Sequence, residues 1–239
     1  MIALPFYGGL GVLAVCCLAK SGPRAYDLTW RPHQGQVLRY RISMDMQLEG
    51  TEINLDADLL EAVRRKNPNG PFEVTSTTKH LRVISGGEIQ SLPDEPSVTE
   101  SYDAVGRRSA PTTVTQARSE PDPFSQVMES STDFRPPSVP VKVAAKWSQS
   151  VSGDRKTGRR SARLDYRFVG IGHQGKIPVI HIKFAFTETE GEMRVKSDGY
   201  FLIDSRDNSI LNSEATVHNA RISPDTEPGT VAVRMRRAF

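Results

Sequence analysis

The sequence predicts an all-β protein, β-rich with one short helix, whose antiparallel meander curves into a half-barrel or open barrel. Three observations lead there. Apolar residues fall on every second position through long runs in both halves of the chain, the period of a strand with one buried and one wet face. Clusters of Gly, Pro, Asn and Asp separate those runs, as hairpin turns require. Helix start signals gather near Pro123, in a middle stretch that otherwise lacks sustained periodicity.

The first run places Leu38, Tyr40, Ile42, Met44, Met46 and Leu48 against Arg39, Arg41, Ser43, Asp45, Gln47 and Glu49. Glu49-Gly50-Thr51 supplies a turn, and Ile53, Leu55, Ala57 and Leu59 return against Asn54, Asp56 and Asp58 as a hairpin partner. Asn67-Pro68-Asn69-Gly70-Pro71 ends that strand, and Phe72 to Ser85, rich in Val, Thr and Ile, forms the third. In the second half Ala162, Leu164, Tyr166 and Phe168 alternate with polar residues, then Ile180, Ile182, Phe184 and Phe186. A turn at Glu190-Gly191 leads to Met193 and Val195, then to Tyr200–Ile203 and a polar turn at Asp204–Asn208. Leu211, Ala215 and Val217 follow on the return, and the last strand carries Val231, Val233, Met235 and Phe239, the final residue being expected to dock.

Residues 93–140 are rich in Ser, Thr, Pro, Asp and Glu. A short strand is expected near Ser101–Ser109 and a helix near Pro123–Ser131, with Asp122 as N-cap, Pro123 at the first helical position and Phe124, Val127 and Met128 on one face. Such a helix is too short to stand alone and must pack on the sheet. Neither half has enough strands to bury its own apolar face. Residues 36–239 are therefore read as a single antiparallel β domain with a Pro/Ser/Thr-rich, partly helical crossover at 93–146, preceded by a linker at 20–35; length alone also admits two domains.

Residues 1–19 carry no charged side chain and end Cys17-Leu18-Ala19, an export-signal pattern or a membrane anchor. As a helix they would span about 28 Å, and Pro5, Gly8, Gly9 and Gly11 weaken it. Leu13-Ala14-Val15-Cys16 resembles a lipobox, with Val15 where a small residue is usual. Cleaved signal, lipid-anchored Cys16 and retained anchor all place the domain outside the cytoplasm, whether secreted, periplasmic or membrane-anchored. Only the N-terminal segment is expected to engage a membrane. With Cys16 and Cys17 the only cysteines, a domain cleaved after Ala19 holds no disulfide.

Ser138-Val139-Pro140-Val141-Lys142-Val143-Ala144-Ala145-Lys146-Trp147, with a hairpin-rich half ending Ser197-Asp198-Gly199-Tyr200-Phe201-Leu202-Ile203-Asp204, resembles uncharacterised secreted or lipid-anchored bacterial β-proteins. That group is similar in turn to lipoprotein-carrier half-barrels. The resemblance spans most of Gly35–Ala220 and departs where Ala145-Lys146 replaces a usual Gly-Asp before the Trp. It implies an envelope protein with an apolar ligand in a concave face.

Motif chemistry is sparse. Gly170-Ile171-Gly172-His173-Gln174-Gly175 matches the dinucleotide fingerprint, yet Lys176-Ile177-Pro178-Val179-Ile180 opens a strand where a helix is needed. Ser76-Thr77-Thr78-Lys79 and Lys156-Thr157-Gly158 have penicillin-enzyme spacing, but Ser76 and Lys79 fall on opposite faces of a strand, and Ser197-Asp198-Gly199 supplies neither the order nor the Asn of the third element. His33, His80, His173, His181 and His218 lack metal-ligand spacing, and Asp204, Asp207 and Asn208 read as turn formers. No catalytic residue, metal site or cofactor is assigned. Distant carboxylates brought together by strand pairing stay open as an acid–base pair.

With 31 basic and 28 acidic side chains, the net charge of +3 gives no general attraction to nucleic acid. Arg155, Lys156, Arg159, Arg160 and Arg163 make the densest basic cluster, a loop suited to anionic envelope components or a solvated hairpin tip. The expected function is a non-catalytic exported envelope protein. Its concave face, lined by Tyr40, Met44, Met46, Tyr166, Phe168, Phe184 and Phe186, would take an apolar small molecule, a lipid or an envelope protein, unless those side chains are simply core. The alternatives are an interaction module using the basic loop 153–163 and an exported hydrolase with an unrecognised nucleophile.

Overall fold

A computed structural model of the chain describes residues 24–48, 50–65, 67, 70–94, 96–104, 106, 123–153, 160–221 and 227–239. Eleven strands make one antiparallel sheet. They are β1 (Val37–Leu48), β2 (Thr51–Arg65), β3 (Phe72–Ser85), β4 (Glu88–Ser91), β5 (Val98–Tyr102), β6 (Lys146–Val151), β7 (Ala162–Gln174), β8 (Ile177–Glu188), β9 (Lys196–Asp204), β10 (Ile210–Ala220) and β11 (Gly229–Ala238), with helix α1 (Pro123–Thr132) between β5 and β6. The order across the sheet is β4-β3-β2-β1-β11-β10-β9-β8-β7-β6, with β5 also on β3. The first and last strands meet at the centre, where Ile42 faces Met235 and Met44 faces Val233. The sheet is not closed, and its curvature makes an open half-barrel.

Strict alternation determines the wall's two faces. On β7 Ala162, Leu164, Tyr166 and Phe168 are buried while Arg163, Asp165 and Arg167 are exposed. On β1 Leu38, Tyr40, Ile42 and Met44 point into the same core. Each fully buried Ile, Leu or Phe contributes about 1.5–3 kcal/mol, so a slip of one residue, which would turn every such side chain outward, is excluded.

Two elements cover the concave side. α1 packs on β9, β10 and β11 with Val127 buried and Met128 against the core. Its last carbonyls have no partner within the helix; Ser197 Oγ of β9 donates to Ser130 O, and Ser213 Oγ of β10 donates to Ser131 O at 2.6 Å. This is why two otherwise apolar inward rows contain serine. Asp122 and the side chain of Phe124 lie outside the described residues.

Residues 24–35, expected as a linker, are built into the fold. Tyr26 exchanges backbone hydrogen bonds with Val141 at 2.8 and 2.9 Å, Leu28 is 1% exposed, and Arg31 N donates to Asp207 O at 3.0 Å. Gly35 N reaches Val63 O at 3.1 Å, and Val63 N donates to Gln36 O at 2.9 Å. The segment thus crosses one end of the half-barrel from beside β6 to β2. Leu28 and the two aromatics, Tyr26 and Trp30, supply the apolar surface that holds it there.

Other differences are local. A short strand lies at Val98–Tyr102, where its Phe72–Tyr102 and Val74–Glu100 pairs place it along β3; of the expected Ser101–Ser109, residues 105 and 107–109 lie outside the described residues. Phe239 does not dock: it is 87% exposed, and its described ring contact is Arg237, 5.5 Å from the ring centroid. One residue beyond the end of β11, it has left the buried wall. Residues 1–19 and the Lys156-Thr157-Gly158 triplet lie outside the described residues.

Candidate functional site

The concave wall is where the seven apolar candidates converge. Tyr40, Met44, Tyr166, Phe168, Phe184 and Phe186 are all buried in one core, and Met46 is half-buried at its margin. Tyr26 sits edge-on to Phe168 at 5.4 Å, Phe134 edge-on to Tyr166 at 5.6 Å, and Phe184 stacks on Phe201 at 4.6 Å. On the β7–β11 side these rings are occupied with one another, with α1 and with the N-terminal segment. They form packing there.

The β2–β3 side is different. The register aligns Met46 with Ile53, Met44 with Leu55, and Leu55 with Val83, so these side chains share the inner face. Ile53, Leu55, Leu59 and Val83 are only half-buried, and Thr78 and Ser76 continue the same face. α1 packs on β9–β11 rather than on this part of the wall.

A carboxylate pair closes this stretch at the end crossed by the N-terminal segment. Glu61 faces Ser76 across β3, and Glu100 of β5 lies one row further along. Burial pushes the Glu61 carboxyl up to about 7, with the charge of Glu100 adding to the rise. Tyr102 Oη donates to Glu100 Oε2 at 2.8 Å, and burial followed by the Glu100 charge pushes that phenol well up. Tyr102 stacks on Phe72 at 5.1 Å, and Trp30 meets both rings edge-on at 5.7 and 5.5 Å. The register thus places both carboxylates on the inner face, on strands either side of β3. The signal for Glu61 was present as a Glu on the inward parity of β2, but Glu100 belonged to a stretch with no readable period.

On the outer face a β-bulge in β3 sets His80 in the left-handed region at φ 52°. Its backbone N donates to Asp94 Oδ1 at 3.1 Å, and its Nδ1 lies 2.9 Å from Asp58 Oδ2. Around them Leu81, Arg82, Ser91 and Leu92 complete an open cleft of about 440 Å³. His181 lies half-buried, edge-on to Tyr200 at 5.3 Å, its imidazole pKa lowered by burial and by Lys183. Ser76 and Lys79 sit on β3 with Lys79 exposed, and Gly170–Gly175 runs from the end of β7 into a hairpin turn. Among the described residues no three His, Cys, Asp or Glu side chains gather as a metal site.

Of the basic cluster, Arg155, Lys156 and Arg159 lie outside the described residues. Arg160 Nη1 pairs with the buried Glu188 at 3.2 Å and donates to Met193 O at 3.0 Å. Arg163 holds Asp165 at 2.9 Å.

No protein-family model matches the sequence, and no curated protein matches it. Among solved structures the chain is similar to a hypothetical lipoprotein, YmcC, from Escherichia coli, at 13% identity over 83% of this chain and 84% of that one, with a TM-score of 0.29. It is also similar to a DUF1329 family protein from Desulfovibrio piger, at 8% identity over 84% of each chain, with a TM-score of 0.23. Likeness at those TM-scores assigns neither family nor activity. No helix among the described residues is long and apolar enough to cross a membrane.

Proposed function

We propose that this is an exported, non-catalytic binding protein of the cell envelope that holds a small amphiphile on the β2–β3 part of its concave wall. The observation that supports the reading is the contrast along one inner face. Opposite α1 the apolar side chains are sealed in core, whereas Met46, Ile53, Leu55, Leu59 and Val83 keep part of their surface open. Apolar surface with a few convergent polar groups is the usual make-up of a ligand site. Glu61 and Glu100 stand at its inner end, so the polar end of the ligand is one that donates hydrogen bonds, an amine or a hydroxyl. The export part of the reading is supported by the apolar run at residues 1–19.

The test is organic extraction of the purified protein with mass spectrometry of the extract, together with uptake of N-phenyl-1-naphthylamine by the folded, stripped protein. An extractable amphiphile and dye uptake that Leu55→Gln and Leu59→Gln reduce at least several-fold are expected. An empty extract with no dye uptake, or uptake indifferent to both substitutions, overturns it.

A second reading, an exported hydrolase, is favoured by the Asp58–His80 pair sharing a cleft with Ser91, because a carboxylate on Nδ1 orients an imidazole for base chemistry. Covalent labelling of Ser91 by a fluorophosphonate, lost in His80→Gln, would favour it over the binding reading.

A further inference from the structure

On the convex face the register sets three cations side by side on adjacent strands: Lys146 of β6 opposite Arg167 of β7, and Arg167 opposite Lys183 of β8. All three are exposed. Neighbouring strands lie about 4.8 Å apart, so the row is roughly 10 Å long, and like charges placed directly opposite destabilise a sheet. Elsewhere on this face several cations are met by acids, Arg234 by Asp45 at 2.8 Å, Arg236 by Glu214 at 3.1 Å and Arg82 by Asp56 at 3.5 Å. Among the described residues none of the three row cations is in an ion pair. On the adjacent row Asp165 is taken by Arg163 through hydrogen bonds of 2.9–3.0 Å, and Asp198 lies 3.8 Å from His218.

The row lies beside the point where the chain enters the fold. Tyr26 is bridged to Val141, five residues before Lys146, and packs on the inward ring of Phe168, whose strand neighbour Arg167 points to the convex side. Arg24, Lys142 and Val143 are also exposed in the segments joined by this bridge, Val143 by 46%. The seven residue-to-residue steps from Ala19 to Tyr26 span at most about 25 Å. A membrane reached by the apolar run at 1–19 is therefore within one short tether of this edge of the sheet.

We propose that the Lys146–Arg167–Lys183 row is a docking surface for an anionic phospholipid bilayer, which seats the domain on its convex side. Charge complementarity and the position of the chain entry both select that partner, and the rigidity of three hydrogen-bonded strands keeps the cations spaced whether or not lipid is present. The site is distinct from the concave wall and independent of any ligand there.

The experiment is cosedimentation of the full chain with vesicles of phosphatidylglycerol and phosphatidylcholine in equal parts, and with vesicles of phosphatidylcholine alone. The apolar run contributes equally to both, so the ratio of the two affinities reads the cations. Each cation near such a surface contributes a factor of roughly five, so Lys146→Gln, Arg167→Gln and Lys183→Gln together should reduce the ratio on the order of 100-fold. The ratio should also fall as salt rises. Lys146→Arg with Lys183→Arg should keep it, as should neutralising Arg155, Lys156 and Arg159. An unchanged ratio in the triple variant, a loss in the charge-conserving pair, or abolition by the loop variant overturns the proposal. Tighter binding to soluble polyphosphate than to the anionic vesicles overturns it in favour of a soluble polyanion.

Discussion

The Tyr166 hydroxyl donates to the Asp133 carbonyl at 3.2 Å and accepts the Arg135 backbone N–H at 3.1 Å. One phenol in the middle of β7 thereby fastens the chain leaving α1 to the concave wall. Trp147 stacks on the same ring at 5.2 Å and donates its indole N–H to Arg135 O at 3.2 Å, so two neighbouring strands hold one turn of crossover.

Tyr166→Phe keeps the ring and leaves the Arg135 N–H without this partner. The expected loss is about 1–2 kcal/mol, read as a lower midpoint in urea unfolding with an unchanged slope. A change in slope would mean that the crossover itself had come loose.

Gly199 allows β9 to lie close to β10. A Cβ built there falls 2.1 Å from Glu214 O and 2.8 Å from Ala215 Cα, both backbone atoms that cannot swing aside. Gly199→Ala should destabilise the fold by about 1–3 kcal/mol, whereas the exposed neighbour Asp198→Ala should shift the thermal midpoint little.

Glu61 makes stability fall as the pH rises. Its carboxyl titrates at about 7 in the folded chain against an ordinary 4.5, so between those values the folded state binds the more protons and loses ground. The penalty is absent below about pH 4.5, grows to pH 7 and is constant above it. Comparing Glu61→Gln with the parent in urea at pH 4.5 and pH 8 should show the variant gaining on the order of 2 kcal/mol at the higher pH relative to the lower. Equal differences at both values would refute the assignment.

Asp204, 1% exposed, takes hydrogen bonds from Arg206 at 2.8 and 3.1 Å and faces Arg237 at 3.9 Å. Burial alone would raise its carboxyl, but the Arg206 hydrogen bonds and charge outweigh that and hold it below the usual range. Asp204→Ala should cost about 2–3 kcal/mol in urea unfolding. Arg206→Ala should cost less, because Arg237 remains and Arg206 is largely exposed.

The strands were legible where period 2 was unbroken, the inward rows of β1, β7 and β8 being as the alternation places them; Phe72–Ser85, read from its Val, Thr and Ile content, has its expected bounds, but its bulge at His80 was not legible. What was not legible lies between distant segments. Local pattern says that Leu38–Leu48 is a strand, but nothing in it names Met235 as the partner of Ile42. Trp30 and Leu28 look like linker residues until the end of the sheet they cover exists. Glu61 and Glu100 come to one inner face only through their separate pairings with β3. The Lys146–Arg167–Lys183 row is likewise a product of register, invisible in three stretches that each show one ordinary outward cation.

The central seam joins β1 to the last strand made, nearly the whole chain away, and the segment before β1 fastens to Asp207 and Asn208. A chain synthesised N-terminus first therefore can pair β1 with β2 early, but the other edge of β1 stays open until β11 has been made. For that interval the open edge of β1 is an unpaired strand edge, the kind that invites pairing with other chains, and closing the seam early is what protects it.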